Sequence, residues 1–173
     1  RKLSSELCNL LNAEVDSPFF EMIKRVSDDE TYGVITDSSI EKMIQKSLKP
    51  LGLLNQFIGI GYEDNEVDKM YDSLVIFWNE VKNVFKDAWG LSSQKSRLMH
   101  SVGIRTMGTL MDQVMIRIET KSEPQKVLNK VLNNIKPHCK WTEGYWDELG
   151  WKWNEIQNTN MHIRKLSEYL CKL

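Results

Sequence analysis

Residues 94–117, QKSRLMHSVGIRTMGTLMDQVMIR, decide the fold of this chain. Apolar side chains recur at helical spacing from Leu98 to Met115 and cover more than one side of the predicted helix. A helix that is apolar on several sides is usually buried, so we place this one at the centre of the fold. Gly103 and Gly108 each cost about 1 kcal/mol relative to alanine in a helix. They therefore predict that another backbone approaches closely.

The segments on both sides of this helix are amphipathic, which predicts a mainly α fold. We expect residues 1–173 to form a single irregular helical domain of about six helices. The predicted helices cover residues 2–12, residues 18–26 after a Ser17 cap, residues 38–48 after a Ser38–Glu41 capping box, and residues 65–86, 94–117 and 124–134. A last helix starts at Asn158-Thr159 and continues to Leu173. The links between them are a polar loop at Ser27–Glu30, a short strand at Gly33–Ile35 and an apolar loop at 51–62 that packs on the body.

Several classes of protein are disfavoured by the sequence. No apolar run approaches the roughly 18–20 residues of a membrane-spanning helix, so no membrane partner is expected. Cys8, Cys139 and Cys171 lie far apart and without ligand spacing, which argues against a zinc site and a disulfide framework. We expect reduced thiols, a cytoplasmic location, and neither metal nor cofactor.

Two adjacent residue pairs raise the question of nucleophilic catalysis. They are His100 with Ser101 and His138 with Cys139. Neighbours in sequence rarely have the geometry of a nucleophile and its base, and no loop typical of an oxyanion hole is evident. The sequence leaves the enzyme question open and favours a chain with no catalytic residue of its own.

Positive charge is concentrated in the middle of the chain. Residues 94–140 contain 9 Lys/Arg and 3 Asp/Glu, whereas residues 1–93 contain 10 and 16. This asymmetry is typical of a solvated face, of an electrostatic fit between two halves, or of an anionic partner such as DNA. The candidate nucleic-acid contacts are Lys95, Arg97, His100, Arg105, Lys126 and Lys130. The first three lie near the predicted start of the central helix, where backbone N–H groups favour phosphate.

Four of the six tryptophans fall in one short segment. They are Trp141, Trp146, Trp151 and Trp153. Such aromatics either stack on bases of single-stranded nucleic acid or anchor a loop segment on the helices. The flanking residues are acidic, so the sequence favours a structural, Trp-rich loop segment near the C-terminus.

Four phrases of the chain, taken together, resemble a known family. Residues 11–19 (LNAEVDSPF) resemble the "LN…SPF" segment that follows the core of DGQHR-domain proteins. Residues 77–89 (FWNEVKNVFKDAW) are similar to their "ffW…v…fp.aW" stretch, and residues 96–108 to their "k…l.…gi.alg.l" helix. Residues 141–159 also fit the C-terminal pattern of the family.

The resemblance implies a setting in DNA metabolism. The family includes Dnd-type proteins tied to DNA phosphorothioate modification, and its core is distantly similar to ParB-like nucleotide-binding domains. The Asp-Gly-Gln-His-Arg motif that names the family is absent from these residues, so no catalytic role is carried over. The resemblance therefore implies a helical C-terminal region of a longer protein, serving DNA modification, defence or their regulation. It would bind DNA, or it would dock a partner protein or the N-terminal half of the same protein.

Overall fold

Six α-helices account for most of residues 2–25 and 33–173, the part of the chain that the computed structural model describes. They are α1 (Lys2–Ala13), α2 (Asp37–Leu48), α3 (Val67–Val84), α4 (Ser101–Ile118), α5 (Pro124–Ile135) and α6 (Asn160–Lys172). The mainly α prediction is confirmed.

Helix α4 lies at the centre of the fold, as its sequence predicts. It packs most extensively against α2 and α6, and less against α5, whose Pro124 and Leu128 line a groove together with Met115 and Ile118 of α4. A Cβ added at Gly103 would lie 2.0 Å from the backbone oxygen of Arg97, so the predicted backbone approach is confirmed there. At Gly108 the close neighbour is a side chain instead, because the added Cβ would lie 2.4 Å from Cγ of Met43 on α2.

Helices α2 and α4 run parallel, and polar side chains join them at both ends. The Ser39 and Ser101 hydroxyls are hydrogen-bonded near the two N-termini. Nearer the C-termini, the Ser47 hydroxyl donates to Oδ1 of buried Asp112 over 2.6 Å. The same oxygen accepts the Leu53 N–H at 3.0 Å, so one carboxylate ties the loop after α2 to the central helix.

Two small sheets complete the architecture. Strands β1 (Ile23–Lys24) and β2 (Ile35–Thr36) pair in parallel, which places a strand where Gly33–Ile35 predicts one, shifted towards the C-terminus. Strands β3 (Tyr145–Trp146) and β4 (Trp151–Lys152) form an antiparallel hairpin within the Trp-rich segment, which the sequence did not indicate.

The prediction of a short helix after Pro18 is wrong over the described residues. The Ser17 hydroxyl accepts the Phe19 N–H at 3.0 Å, but the chain makes turns and then enters β1. Glu21 has a φ of 56°, a left-handed conformation that an α-helix of L-residues does not continue through. Val26 and the polar loop predicted at Ser27–Glu30 lie outside the described residues.

Helix boundaries differ from the predictions where another residue provides the cap. Thr36, not Ser38, caps α2, since its hydroxyl accepts the Ser39 N–H. Helix α4 begins at Ser101 instead of Gln94, because His100 has an extended backbone and its Nδ1 accepts the Val102 N–H. A separate 3₁₀ turn precedes it at Arg97–Met99.

Other boundaries agree more closely. Helix α5 starts at Pro124 as predicted, although its N-cap residue Glu123 makes no side-chain cap. Thr159 caps α6, as its position in the sequence indicated. The apolar loop at 51–62 contains a 3₁₀ turn, Leu53–Phe57, whose first two leucines are buried. No helix among the described residues combines the length and apolar character needed to cross a membrane.

Candidate nucleic-acid interface

One face of α4 carries a polar stripe between the apolar sides that fill the core. Its residues are Arg105, Thr109, Gln113 and Arg117. Positions four apart lie one above another on a helix, so these side chains form a continuous row. At 1.5 Å per residue the row is about 18 Å long. Arg105 and Thr109 are half-buried, whereas Gln113 and Arg117 are exposed, so the row is deepest at its N-terminal end.

A cleft of about 350 Å³ lies over this row, with α2 on one side and α6 on the other. Lys46 projects from α2, and Arg164 and Glu168 from α6. The Lys46 ammonium donates to Thr109 Oγ1 over 2.6 Å, and the Thr109 hydroxyl donates to the Arg105 backbone oxygen over 3.2 Å. These contacts fix the lysine against the central helix. We call this site the cationic cleft.

The charges in the cationic cleft are predominantly positive. Three of the lining residues are cationic: Lys46, Arg105 and Arg164. None of them forms an ion pair with a carboxylate in the part of the chain that the structure describes. Glu168 is the acidic residue in the wall of the cleft. The positive charges of Arg117 and Lys46 both act on the thiol of Cys171 near the end of α6, although burial dominates and raises the pKa of that thiol. Arg117 and Lys46 therefore both lie close to that end of α6.

Arg105 is held in place by the C-terminal segment. Its Nη1 donates to Oδ1 of Asn158 at 2.9 Å, just before α6 begins. Burial lowers the pKa of this guanidinium from its usual value, and arginine stays protonated in proteins even so. The site therefore presents a fixed, charged fork on a rigid helix, a geometry that matches phosphate oxygens.

The other candidates at the beginning of the basic stretch have structural contacts. Arg97 donates from Nη2 to the Asn154 backbone oxygen at 2.9 Å and from its backbone N–H to Trp141 at 2.8 Å. His100 caps α4 through Nδ1, and burial and the Arg97 charge both lower the pKa of its imidazole. Each of these two residues thus organises the start of α4.

Lys95, Lys126 and Lys130 lie on the surface away from the cationic cleft. Lys95 is exposed before the 3₁₀ turn at Arg97–Met99. Lys126 pairs with Glu123 at 2.8 Å in the first turn of α5, and Lys130 is exposed one turn later. Of the six residues proposed from the sequence, Arg105 alone lines the cleft.

Sequence analysis missed three of the four cations gathered here. Arg117 follows Arg105 in the row, and that spacing of multiples of four was visible in the sequence. Lys46 and Arg164 come from helices far along the chain, so their arrival depends on how α2 and α6 pack on α4.

The Trp-rich segment divides into buried and half-exposed residues. Trp141 and Trp146 are 3% and 1% exposed, and their ring centroids lie 5.0 Å apart, which confirms the anchoring role for both. Trp151 is half-buried, and its ring lies 4.3 Å from that of His162 in the first turn of α6. This places an aromatic surface beside the first turn of α6, which begins two residues after Asn158, the residue that accepts the bond from Arg105.

A second concave region lies between α3, the C-terminal end of α4 and the start of α5. This groove of about 560 Å³ has mainly apolar walls, formed by Leu53, Phe57, Ile76, Met115, Ile118 and Leu128. Glu119, Glu123 and Lys126 stand at its margin. Ile76 is 37% exposed, so part of the apolar wall is open to solvent.

The described residues include no cluster typical of metal binding, and one of the two candidate nucleophile–base pairs has other contacts. Within 2–25 and 33–173 there is no group of three or more His, Cys, Asp or Glu side chains that would hold a metal ion. The Ser101 hydroxyl bonds to that of Ser39, and His100 Nδ1 is engaged by the Val102 N–H, so His100 and Ser101 do not form a nucleophile–base pair through that nitrogen.

Comparisons of the chain with family models, with curated proteins and with solved structures find no match. The resemblance to DGQHR-domain proteins therefore remains a prediction.

Proposed function

We propose that this chain is a non-catalytic helical module of a DGQHR-type protein and binds DNA in the service of modification, defence or their regulation. The observation that supports it best is the cationic cleft, which is lined by Lys46, Arg105 and Arg164. None of the three makes an ion pair with a described carboxylate, although the Lys46 charge also acts on buried Asp112. The resemblance suggests DNA modification or defence as the setting, and the cleft provides cationic side chains that can bind phosphate.

Phosphate is the group that such a site favours. Each phosphate neutralised by a lysine or arginine releases condensed counterions, and this supplies much of the affinity of proteins for DNA. The row on α4 offers arginine guanidinium groups and the Gln113 amide, and both kinds of donor contact phosphate oxygens in known complexes. The Thr109 hydroxyl between them is already engaged by Lys46 and by the Arg105 backbone oxygen. Phosphate contacts carry no sequence information, so the module is expected to bind DNA of any sequence.

Fluorescence anisotropy with labelled oligonucleotides tests this function. We expect binding that weakens as NaCl rises from about 50 to 200 mM, in line with counterion release. The double substitution Lys46→Gln with Arg164→Gln removes two exposed cations of the cleft. It should lower the slope of log K against log salt by about 2, since each lost phosphate contact removes about one unit.

Lys82→Gln with Lys86→Gln is the matched control. It removes two exposed cations of α3 and the residues just after it, so it changes net charge equally without altering the cleft. An equal loss of DNA affinity in both double variants would mean that net charge, and not the cleft, accounts for the effect. The absence of binding at about 50 mM salt, where phosphate contacts are strongest, would refute the function.

A partner-docking module is the second candidate, and the groove between α3, α4 and α5 favours it. An apolar groove with an exposed isoleucine is typical of a surface that receives an apolar side of another protein. Pull-down of the N-terminal half of the parent protein, with Ile76→Glu compared with Lys82→Glu on the same helix, would test it. Loss of capture by the first variant alone is the expected result.

A further inference from the structure

We propose that the groove between α3, α4 and α5 receives a helix of a partner protein whose apolar face is bordered by lysine or arginine. This inference rests on the partner-docking function and specifies the chemistry of the partner. It follows from an apolar residue that the fold leaves uncovered, from the helical walls of the groove, and from the charges at its margin.

Ile76 is an apolar residue on an otherwise polar face of α3. The buried side of this helix is formed by Met70, Leu74, Phe77, Trp78, Val81 and Val84. Ile76 lies off that side, and the positions one turn before and after it on the same face are Asp72 and Glu80. Phe57 and Met115 also line the groove and are only half-buried. An apolar surface that is rimmed by polar residues is typical of a protein contact.

The walls of the groove are largely helical, and this limits the conformation of an occupant. They are formed by side chains of α3, the C-terminal end of α4, the start of α5 and the 3₁₀ turn at Leu53–Phe57, and none of these lining residues belongs to a strand. Backbone groups within helices are bonded to each other, so the walls offer no strand edge to an extended peptide. A peptide that enters the groove has to satisfy its own backbone groups, and a helix does so.

The margin of the groove is acidic, because its lysine is paired whereas other carboxylates are not. Lys126 forms an ion pair with Glu123 at 2.8 Å. Glu119, at the C-cap of α4, and exposed Asp72 on α3 form no ion pair with a cation in the described part of the chain. Lys121 follows Glu119 by two residues but does not line the groove. The site therefore favours cationic side chains beside the apolar face of a partner, and it disfavours the phosphates of DNA.

Two isoleucines of similar exposure provide a matched pair of substitutions. Ile76 is 37% exposed and lines the groove, whereas Ile116 is 40% exposed on α4 and does not line it. Ile76→Gln and Ile116→Gln each replace an exposed apolar side chain by an uncharged polar one, so both variants should fold. Glu119→Gln and Glu155→Gln form the corresponding pair for charge, since Glu155 is exposed near the N-terminal end of α4, the end opposite the groove.

The test uses two labelled synthetic peptides of about 18 residues, which form about five helical turns. One has leucines at helical spacing bordered by lysines, and in the other each lysine is replaced by glutamate. In fluorescence anisotropy we expect the acidic peptide to bind at least about tenfold more weakly than the basic one. Ile76→Gln should weaken binding of the basic peptide by about tenfold or more, because a buried apolar contact is lost. Glu119→Gln should weaken it by about two- to fivefold, as is typical of exposed ion pairs, and the two control variants should leave it nearly unchanged.

Several results would overturn the inference, and they differ in what else they remove. Equal affinity for both peptides, lost in Ile76→Gln, keeps the docking function and removes the charge preference. Equal effects of Ile76→Gln and Ile116→Gln would place the peptide outside the groove. If neither peptide binds, helix docking is refuted, and capture of the N-terminal half that Ile76→Glu abolishes would show that the docking function remains. Nile red that binds in the groove and is not displaced by the basic peptide would assign the site to a small apolar ligand.

Discussion

Substitution of Asp112 tests how the loop after α2 is attached to the central helix. Oδ1 of this buried carboxylate accepts the Ser47 hydroxyl at 2.6 Å and the Leu53 N–H at 3.0 Å. Asp112→Ala removes the acceptor and leaves two buried donors without a partner. Since each such donor costs about 1–3 kcal/mol, we expect the free energy of unfolding to fall by about 2–6 kcal/mol.

Asp112→Asn separates the hydrogen bonds from the charge. An amide oxygen accepts the same two bonds, but the side chain carries no charge into the interior. Burial raises the pKa of the Asp112 carboxyl, in opposition to the bonds from Ser47 and Leu53, which lower it. A carboxyl with a raised pKa destabilises the folded state as the pH rises above the unfolded value, about 3.9. At pH 7 we therefore expect Asp112→Asn to be at least as stable as the native protein.

Urea denaturation followed by tryptophan fluorescence measures both variants, at about pH 4 and pH 7. The difference in free energy of unfolding between the native protein and Asp112→Ala should decrease as the pH rises from about 4 to 7. The difference between Asp112→Asn and Asp112→Ala should not change over this range. A stability of Asp112→Asn as low as that of Asp112→Ala at both pH values would refute the reasoning. It would mean that the charge, and not the acceptor oxygen, holds the loop.

Further predictions concern the start of α4 and the thiols. Gly103→Ala should lower the free energy of unfolding by about 1–3 kcal/mol, because the added methyl group would lie 2.0 Å from the Arg97 backbone oxygen, and this outweighs the better helix propensity of alanine. Gly61→Ala is the control and should be nearly neutral in thermal denaturation, because its methyl group would meet only a side-chain oxygen at 3.3 Å. Since the pKa of His100 is lowered by burial and by the Arg97 charge, stability should fall as the pH drops below about 6.5, and this fall should be absent in His100→Asn, which keeps a cap. Burial raises the pKa of the Cys8 thiol to about 11, so this side chain should react with a disulfide reagent at pH 8 only on unfolding, whereas half-buried Cys171 should react sooner. Reaction of Cys8 at the rate of a free thiol would contradict its placement in the core.

Helices with a local apolar stripe could be predicted from sequence to within a few residues. Leu3, Leu7 and Leu11 mark α1, and the apolar positions of 65–86 mark α3, because an amphipathic pattern is contained in the helix itself. The segment after Pro18 could not be predicted in this way. There the apolar spacing also predicts a helix, but Glu21 has a left-handed backbone and the next residues pair with the distant strand β2 instead.

The candidate site was predictable only in the part that one helix supplies. Arg105 and Arg117 share a face of α4 because of their spacing, and this is a property of the sequence. Lys46 lies beside them because α2 packs closely on α4 at Gly108. There the Met43 side chain of α2 occupies the space that a side chain at position 108 would need. Arg97 was predicted for the same surface, yet its guanidinium bonds to Asn154, a contact that no local pattern encodes.

The parallel pairing of α2 with α4 has a consequence for the order in which the protein forms. Ser47 and Asp112 are 65 residues apart in sequence, so their contact closes a long loop. The entropy of such closure is lost before the contact stabilises the chain, and folds dominated by distant pairings form slowly. During synthesis, the part of α2 that packs on α4 must wait for about 70 further residues before that partner leaves the ribosome, several seconds at about 5–20 residues per second, although α1 is already present to cover another part. In that interval α2 and the leucines after it are exposed to association with other chains, so the yield of folded protein should depend on chaperones and on the rate of translation.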